Sequence, residues 1–224
     1  MHEAWKIKNL FNLSKTQAGE YLNGFEFPWQ ALGGLAFFIQ ELGATLSKEE
    51  YTEISPMVWV HKRAKISRTA EINPPCIVGA NTEVRHCAFI RGSALIGQNC
   101  VVGNSTEIKN ALLFDGVQVP HYNYVGDSIL GFKSHMGAGS ITSNVKSDKK
   151  NVVIKNGEEC FETGLKKVGA FLGDGVEIGC NSVLNPGTVI GKNASVYPLS
   201  CVRGTVAENS IYKNKNEITE RKNG

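Results

Sequence analysis

From Val60 to Phe114 a large apolar residue returns at every sixth position: Val60, Ile66, Ile72, Val78, Val84, Ile90, Ile96, Val102, Ile108 and Phe114. Four residues after each comes a second, mostly small position: Ala64, Ala70, Cys76, Thr82, Ala88, Ala94, Cys100, Thr106, then Leu112 and Gln118. The beat returns at Leu172, Ile178, Leu184, Ile190, Val196 and Val202. A period of six is neither helical nor simple alternation. It fits a short strand plus a corner, repeated as the chain coils on itself, and predicts a parallel β-helix over residues 56–210.

Residues 1–55 do not follow the beat. A helix is expected over 15–22 with Ser14 as N-cap, and a second from Pro28 to near Gly43. Trp29, Leu32, Leu35, Phe38 and Leu42 share one face of the second. These helices are expected to cap the open end of the coil. The phase slips between Pro120 and Ile129, and a second interruption spans 145–168. Within it, Val152 to Phe161 reads as a hairpin with an Asn156-Gly157 turn, set among six lysines. Residues 211–224 are expected as a polar tail that frays beyond Ile218.

Composition narrows the class. The 224 residues are 42% hydrophobic with a net charge of +3, which suits a packed interior and admits small anionic ligands without calling for nucleic acid. No segment reaches the ~20 apolar residues of a membrane span, and no signal-peptide core is visible. None of the six cysteines forms a C-x-x-C pair, so no structural metal is expected. Cys76 and Cys100 fall on the small inward position and read as core thiols of a cytoplasmic protein.

With three hexads per coil, residues eighteen apart are neighbours about 4.8 Å apart. Arg91 and Lys109 are so spaced. Stacked cations repel by roughly 1–3 kcal/mol. A bound phosphate would offset this; the alternative is that both side chains splay into water. His121 sits at the phase slip, where it suits a general base or a plain surface histidine, and Glu107 lies on the same side of its strand as Lys109, placed to orient His121.

Three stretches carry a resemblance: Asn104-Ser105-Thr106-Glu107-Ile108-Lys109-Asn110, Pro120-His121-Tyr122-Asn123-Tyr124-Val125-Gly126-Asp127, and Met136-Gly137-Ala138-Gly139-Ser140-Ile141-Thr142-Ser143-Asn144. Together they resemble the left-handed β-helix acetyltransferase domain of bifunctional N-acetylglucosamine-1-phosphate uridyltransferases, over about residues 58–210. The resemblance implies a homotrimer with sites between subunits, acetyl-CoA as donor, an amino-sugar phosphate such as glucosamine-1-phosphate as acceptor, and a place in UDP-N-acetylglucosamine biosynthesis. It implies His121 as base with Glu107 in support, and Asn144 positioning substrate and thioester. Arg91, Lys109, Tyr124, His135 and Lys150 would hold the sugar phosphate; Ala138, Val145, Cys180 and Pro198 would contact coenzyme A. Three positions depart from the family: His135 replaces Asn, Val145 replaces Tyr and Cys180 replaces Ser. The helical residues before the coil carry no Gly-rich phosphate loop, so no pyrophosphorylase activity is expected. Two other readings are a non-catalytic sugar-phosphate or sugar-nucleotide binder that partners a separate nucleotidyltransferase, and a trimeric metal hydratase using His86, His121 and His135.

Overall fold

The computed structural model describes residues 2–214 and 217–220. It is a β-solenoid of about nine turns, the expected β-helix. Each coil lays one short parallel strand on each of three faces. Val58–His61, Cys76–Val78 and Ala94–Ile96 stack on the first face, with Val60, Val78 and Ile96 in register. Lys65–Ile66, Glu83–Val84 and Val101–Asn104 stack on the second, and Glu71–Ile72 and Phe89–Ile90 on the third. The six-beat residues from Val78 to Ile108 are buried, Ile66 and Ile72 are partly so, Leu113 takes the inward place expected of Phe114, and the small positions Cys76 and Cys100 are buried beside them.

The phase slip is a shortened lap. Leu113 pairs with Ile96 and Leu130 with Leu113, seventeen residues apart instead of eighteen. The missing residue comes from the corner between the third and first faces, where Glu107–Leu113 and Tyr124–Leu130 run through as single seven-residue strands. The 145–168 insertion leaves the stack intact, since Leu130 pairs directly with Leu172. Its hairpin, Val153–Asn156 with Glu159–Glu162, turns on Gly157-Glu158, because Asn156 pairs with Glu159. Gly157 has φ +60°, as a first central turn residue needs.

The N-terminal helices do not close an end of the coil. They run lengthwise along the first face. The middle residue of each strand there points outward, and these residues are apolar: Ile77, Leu95, Leu112, Ile129, Phe171 and Val189 are all at most 1% exposed. At about 25 cal/mol per Å², leaving that stripe wet would be strongly unfavourable, so the helices settle on it. At one end of the face, Trp59 lies where a Cβ on Gly43 would come within 2.2 Å. Midway, Phe11 stacks on Phe114 and Trp29 on Phe171. At the far end the Trp5 indole N–H donates to the Thr205 hydroxyl at 2.7 Å.

The helices are also shorter than the sequence predicts. The first is Gly19–Asn23; Ser14 lies inside a 3-10 turn whose cap is Asn12. Pro28 opens a helix as expected, but it ends at Ala31 and a second runs Leu35–Thr45, because Gly33-Gly34 intervene. A Cβ on Gly34 would sit 2.8 Å from the Tyr21 hydroxyl, which donates to the Ala31 carbonyl. The solenoid ends are closed by antiparallel strands: Tyr51–Ser55 on Val58–His61, and Glu217–Glu220 on Ser210–Asn214. Much of the expected tail is therefore strand, since Ile211 and Tyr212 pair with Ser195 and Val196 and bury the tyrosine. Residues 221–224 lie outside the described residues. Among the described residues no helix is long and apolar enough to cross a membrane.

Candidate active site

The corner between the second and third faces repeats a left-handed residue on successive coils: Cys87, Ser105, Tyr122, Gly139, Asn181 and Leu199, with φ between 51° and 71°. The residue before each stacks into a column: His86, Asn104, His121, Ala138, Cys180, Pro198. His121 pairs with Asn104. The Gly139 N–H donates to the His121 carbonyl at 3.0 Å, Asn181 N–H to Ala138 at 2.8 Å, and Leu199 N–H to Cys180 at 2.9 Å. The candidate base and three of the four candidate donor-binding residues thus line one edge, one coil apart. His121 is exposed and its ring has no hydrogen-bond partner among the described residues. Tyr122 and Leu199 are 63% and 79% exposed, so the edge carries apolar surface as well.

Across the third face lies a polar cluster. Ile90 pairs with Ile108, which sets Arg91 beside Lys109 as the eighteen-residue lap predicts. The repulsion expected between them is met by carboxylates. Arg91 Nη1 donates to Glu107 Oε1 at 2.7 Å, and Lys109 Nζ lies 3.3 Å from both oxygens of Asp127. Asp127 also accepts from Asn110 at 2.8 Å and from Asn144. Asn144 donates in addition to the Tyr124 hydroxyl at 3.2 Å. Burial pushes the Tyr124 hydroxyl above the ordinary phenol value of 10.0, so it is a neutral donor here. Gly126 leaves room for that hydroxyl, which would lie 2.4 Å from an added Cβ.

The structure thus brings together Arg91, Glu107, Lys109, Tyr124 and Asn144. Glu107 is not the partner of His121 within the chain; its carboxylate is held by the Arg91 guanidinium, a stronger charge-assisted donor than a neutral imidazole. His135 is set apart on the second face, its Nδ1 2.8 Å from Glu177, beside an open hollow of about 500 Å³ also lined by Gln118 and Lys133. Val145 is 43% exposed and bridges to Lys167 at the base of the insertion; Lys150 projects from it. His86 and His121 share the column while His135 does not, and among the described residues no three metal-ligating side chains converge.

The sequence reading passed over Asp127, the hub of the cluster. Its signal was present: it lies seventeen residues after Asn110, one short lap, and is 3% exposed.

No protein-family model matches the chain. The bifunctional protein GlmU of Methanococcus maripaludis (strain C5) is 30% identical over 224 residues, covering 97% of this chain and 54% of that protein. The bifunctional sugar-1-phosphate nucleotidylyltransferase/acetyltransferase of Sulfurisphaera tokodaii is 30% identical over 176 residues, covering 79% and 43%. The chain therefore spans about half the length of the curated relatives it matches. Among solved structures, the acetyltransferase domain of PglB from Neisseria gonorrhoeae matches 68% of this chain and 55% of its own, at 15% identity and a TM-score of 0.34. AntD, an N-acyltransferase from Bacillus cereus solved with dTDP and 3-hydroxybutyryl-CoA, matches 74% and 80%, at 18% identity and a TM-score of 0.32. Superpositions that loose carry no argument about the site. Identity along nearly the whole chain and the hexad coil together make the protein a β-solenoid homologue of the C-terminal half of GlmU and of bifunctional sugar-1-phosphate nucleotidylyltransferase/acetyltransferases.

Proposed function

We propose that the chain is a coenzyme-A-dependent N-acyltransferase for an amino-sugar phosphate such as glucosamine-1-phosphate, with acetyl-CoA as donor. The observation that carries this is the column of His121, Ala138, Cys180 and Pro198, running beside the Arg91–Lys109–Tyr124–Asn144 face. A donor laid along the column brings its thioester to the coil of His121. An acceptor phosphate on the face is met by Arg91, Lys109 and the Tyr124 hydroxyl, with Lys150 on the insertion as a further contact, while His135, on the second face, takes no part. Asp127 and Glu107 hold the two cations in place before the ligand arrives, which lowers the ordering cost of binding.

In this mechanism the acceptor amine attacks the thioester carbonyl carbon. The C–N bond forms, the carbonyl opens to an oxyanion steadied by backbone N–H groups, and the His121 imidazole takes the amine proton. The C–S bond then breaks, and the thiolate leaves to be protonated by His121. No covalent enzyme intermediate is required, so no cysteine need be a nucleophile. The free His121 ring and the exposed Tyr122 and Leu199 favour assembly as a homotrimer, in which a second subunit completes the site.

A second reading, a binding β-helix that partners a separate nucleotidyltransferase, is favoured by one observation: His121 has no orienting partner among the described residues. One experiment separates them. Purified protein is given acetyl-CoA and glucosamine-1-phosphate, and free thiol release is followed. Turnover abolished by His121→Ala supports the enzyme; tight sugar-phosphate binding without thiol release supports the binder.

A further inference from the structure

The insertion hairpin folds back onto the solenoid and encloses a second cationic pocket, which the proposed chemistry does not use. Val152 and Ile154 are fully buried, and Gly187 gives them room: a Cβ there would lie 2.8 Å from Val152. The Thr205 hydroxyl donates to the Lys155 carbonyl at 2.8 Å, which ties the hairpin to the last coils. Gly204, at φ +82°, allows that approach; an added Cβ would come within 3.0 Å of the same carbonyl. Between hairpin and coil is a hollow of about 230 Å³ lined by Lys146, Lys155, Arg203, Asn185, Val153, Pro186 and Gly204.

Three cations border this small volume. Lys146 is partly neutralised by Asp148 at 3.2 Å. Neither Lys155 nor Arg203 has a carboxylate within ion-pair distance among the described residues. Glu162, across the hairpin from Val153, pairs with neither. The excess positive charge sits against rigid backbone, not on a free surface loop, and this suits an ion of two negative charges that a guanidinium fork and two ammonium groups can share. The pocket lies on the corner between the third and first faces, where the Gly169 N–H donates to the Asp127 carbonyl, the Gly187 N–H to the Gly169 carbonyl and, on the next coil, the Val189 N–H to the Gly204 carbonyl. It is therefore on the far side of the third face from the His121–Pro198 column.

We propose that Lys146, Lys155 and Arg203 form a binding site for a phosphate dianion, distinct from the Arg91–Lys109 cluster. The phosphate belongs either to the acyl donor's coenzyme or to a second molecule of sugar phosphate, the acceptor's own phosphate being placed at the Arg91–Lys109 cluster. The probe is inorganic phosphate titrated calorimetrically into the intact protein at constant ionic strength, with chloride as the control anion. The double variant Lys155→Gln/Arg203→Gln, both residues exposed, should weaken phosphate binding about tenfold or more. Asp148→Asn, which frees Lys146, should tighten it. Binding unchanged in both variants overturns the site. Two further arms assign the source. If the double variant loses the preference for acetyl-CoA over its 3′-dephospho form, the coenzyme supplies the phosphate; if it loses a second calorimetric site with a preference for glucosamine-1-phosphate over glucosamine, the sugar does. Loss of neither preference, with phosphate affinity intact, also overturns the proposal. Phosphate binding needs no turnover, so the outcome is independent of whether the chain proves to be an acyltransferase.

Discussion

Lys109 and Asp127 stand eighteen residues apart on neighbouring coils, and the ammonium lies 3.3 Å from each carboxylate oxygen, with the aspartate side chain 4% exposed and the lysine 27%. A pair this sheltered is costly to break from one side. Asp127→Ala leaves the Lys109 ammonium and the Asn110 amide without this acceptor and Asn144 with the Tyr124 hydroxyl alone. A loss of about 3 kcal/mol in folding stability is expected, measured by urea unfolding at fixed protein concentration. A loss below about 1 kcal/mol would mean that solvent reaches the pair.

Of the two histidines on the column, His86 is hydrogen-bonded to Thr69 and Cys87, whereas the His121 ring has no partner among the described residues, which makes His121 the candidate base. His121→Ala should lower kcat by roughly 10²- to 10⁴-fold with little change in melting temperature, because the ring is exposed and packs against nothing. Steady-state thiol release against glucosamine-1-phosphate reads the first quantity and scanning calorimetry the second.

Gly126→Ala places a methyl where the Tyr124 hydroxyl now lies, since an added Cβ falls 2.4 Å from it. The tyrosine must swing away, losing its bond from Asn144. A several-fold higher KM for the acceptor is expected with kcat nearly unchanged, because the displaced group binds substrate and takes no proton.

The outward stripe on the first face is interior in all but topology. Leu112→Ala should cost about 2–5 kcal/mol, as for a core leucine, although Leu112 points away from the axis of the coil. Urea unfolding gives the value; a cost of a few tenths would show that the helices do not hold that face.

Burial pushes the Cys76 and Cys100 thiols from 9.0 up to about 12. A raised value means that the native state holds the proton more tightly than the unfolded chain does. Their contribution to stability is therefore complete below pH 9 and declines as pH rises toward about 12. At pH 8 an aromatic disulfide reagent should titrate only the exposed Cys87, Cys160, Cys180 and Cys201 in the folded protein, and all six thiols in guanidinium.

The sequence displayed the coil because inward positions of a solenoid repeat rigidly and tolerate few residue types. It also displayed the Arg91–Lys109 stacking, which follows from the lap length alone. What it hid was whatever depends on a shortened lap or on distant packing. The seventeen-residue lap pairs Lys109 with Gly126, so Asp127, eighteen residues on, stands one step past it and reaches Lys109 and Asn110 together. The triplets Cys76-Ile77-Val78, Ala94-Leu95-Ile96, Ala111-Leu112-Leu113 and Ala170-Phe171-Leu172 were a readable sign that one face is covered on both sides, since an outward apolar residue in every lap has to meet something. The partner of Glu107 was not readable, because Arg91 and His121 compete for one carboxylate and side-chain rotamers decide between them.

A solenoid whose coils touch only their neighbours can melt stepwise from either end, as a one-dimensional stack does. Here the N-terminal segment reaches Trp59 at the first coil and Thr205 near the last, with Trp5 and Thr205 two hundred residues apart in sequence. That strap couples the termini of the stack, so losing an outer rung also unseats the segment that seals the rungs between. The molecule should unfold as a single unit, and the coil bearing His121 is guarded from fraying by contacts made at its extremities.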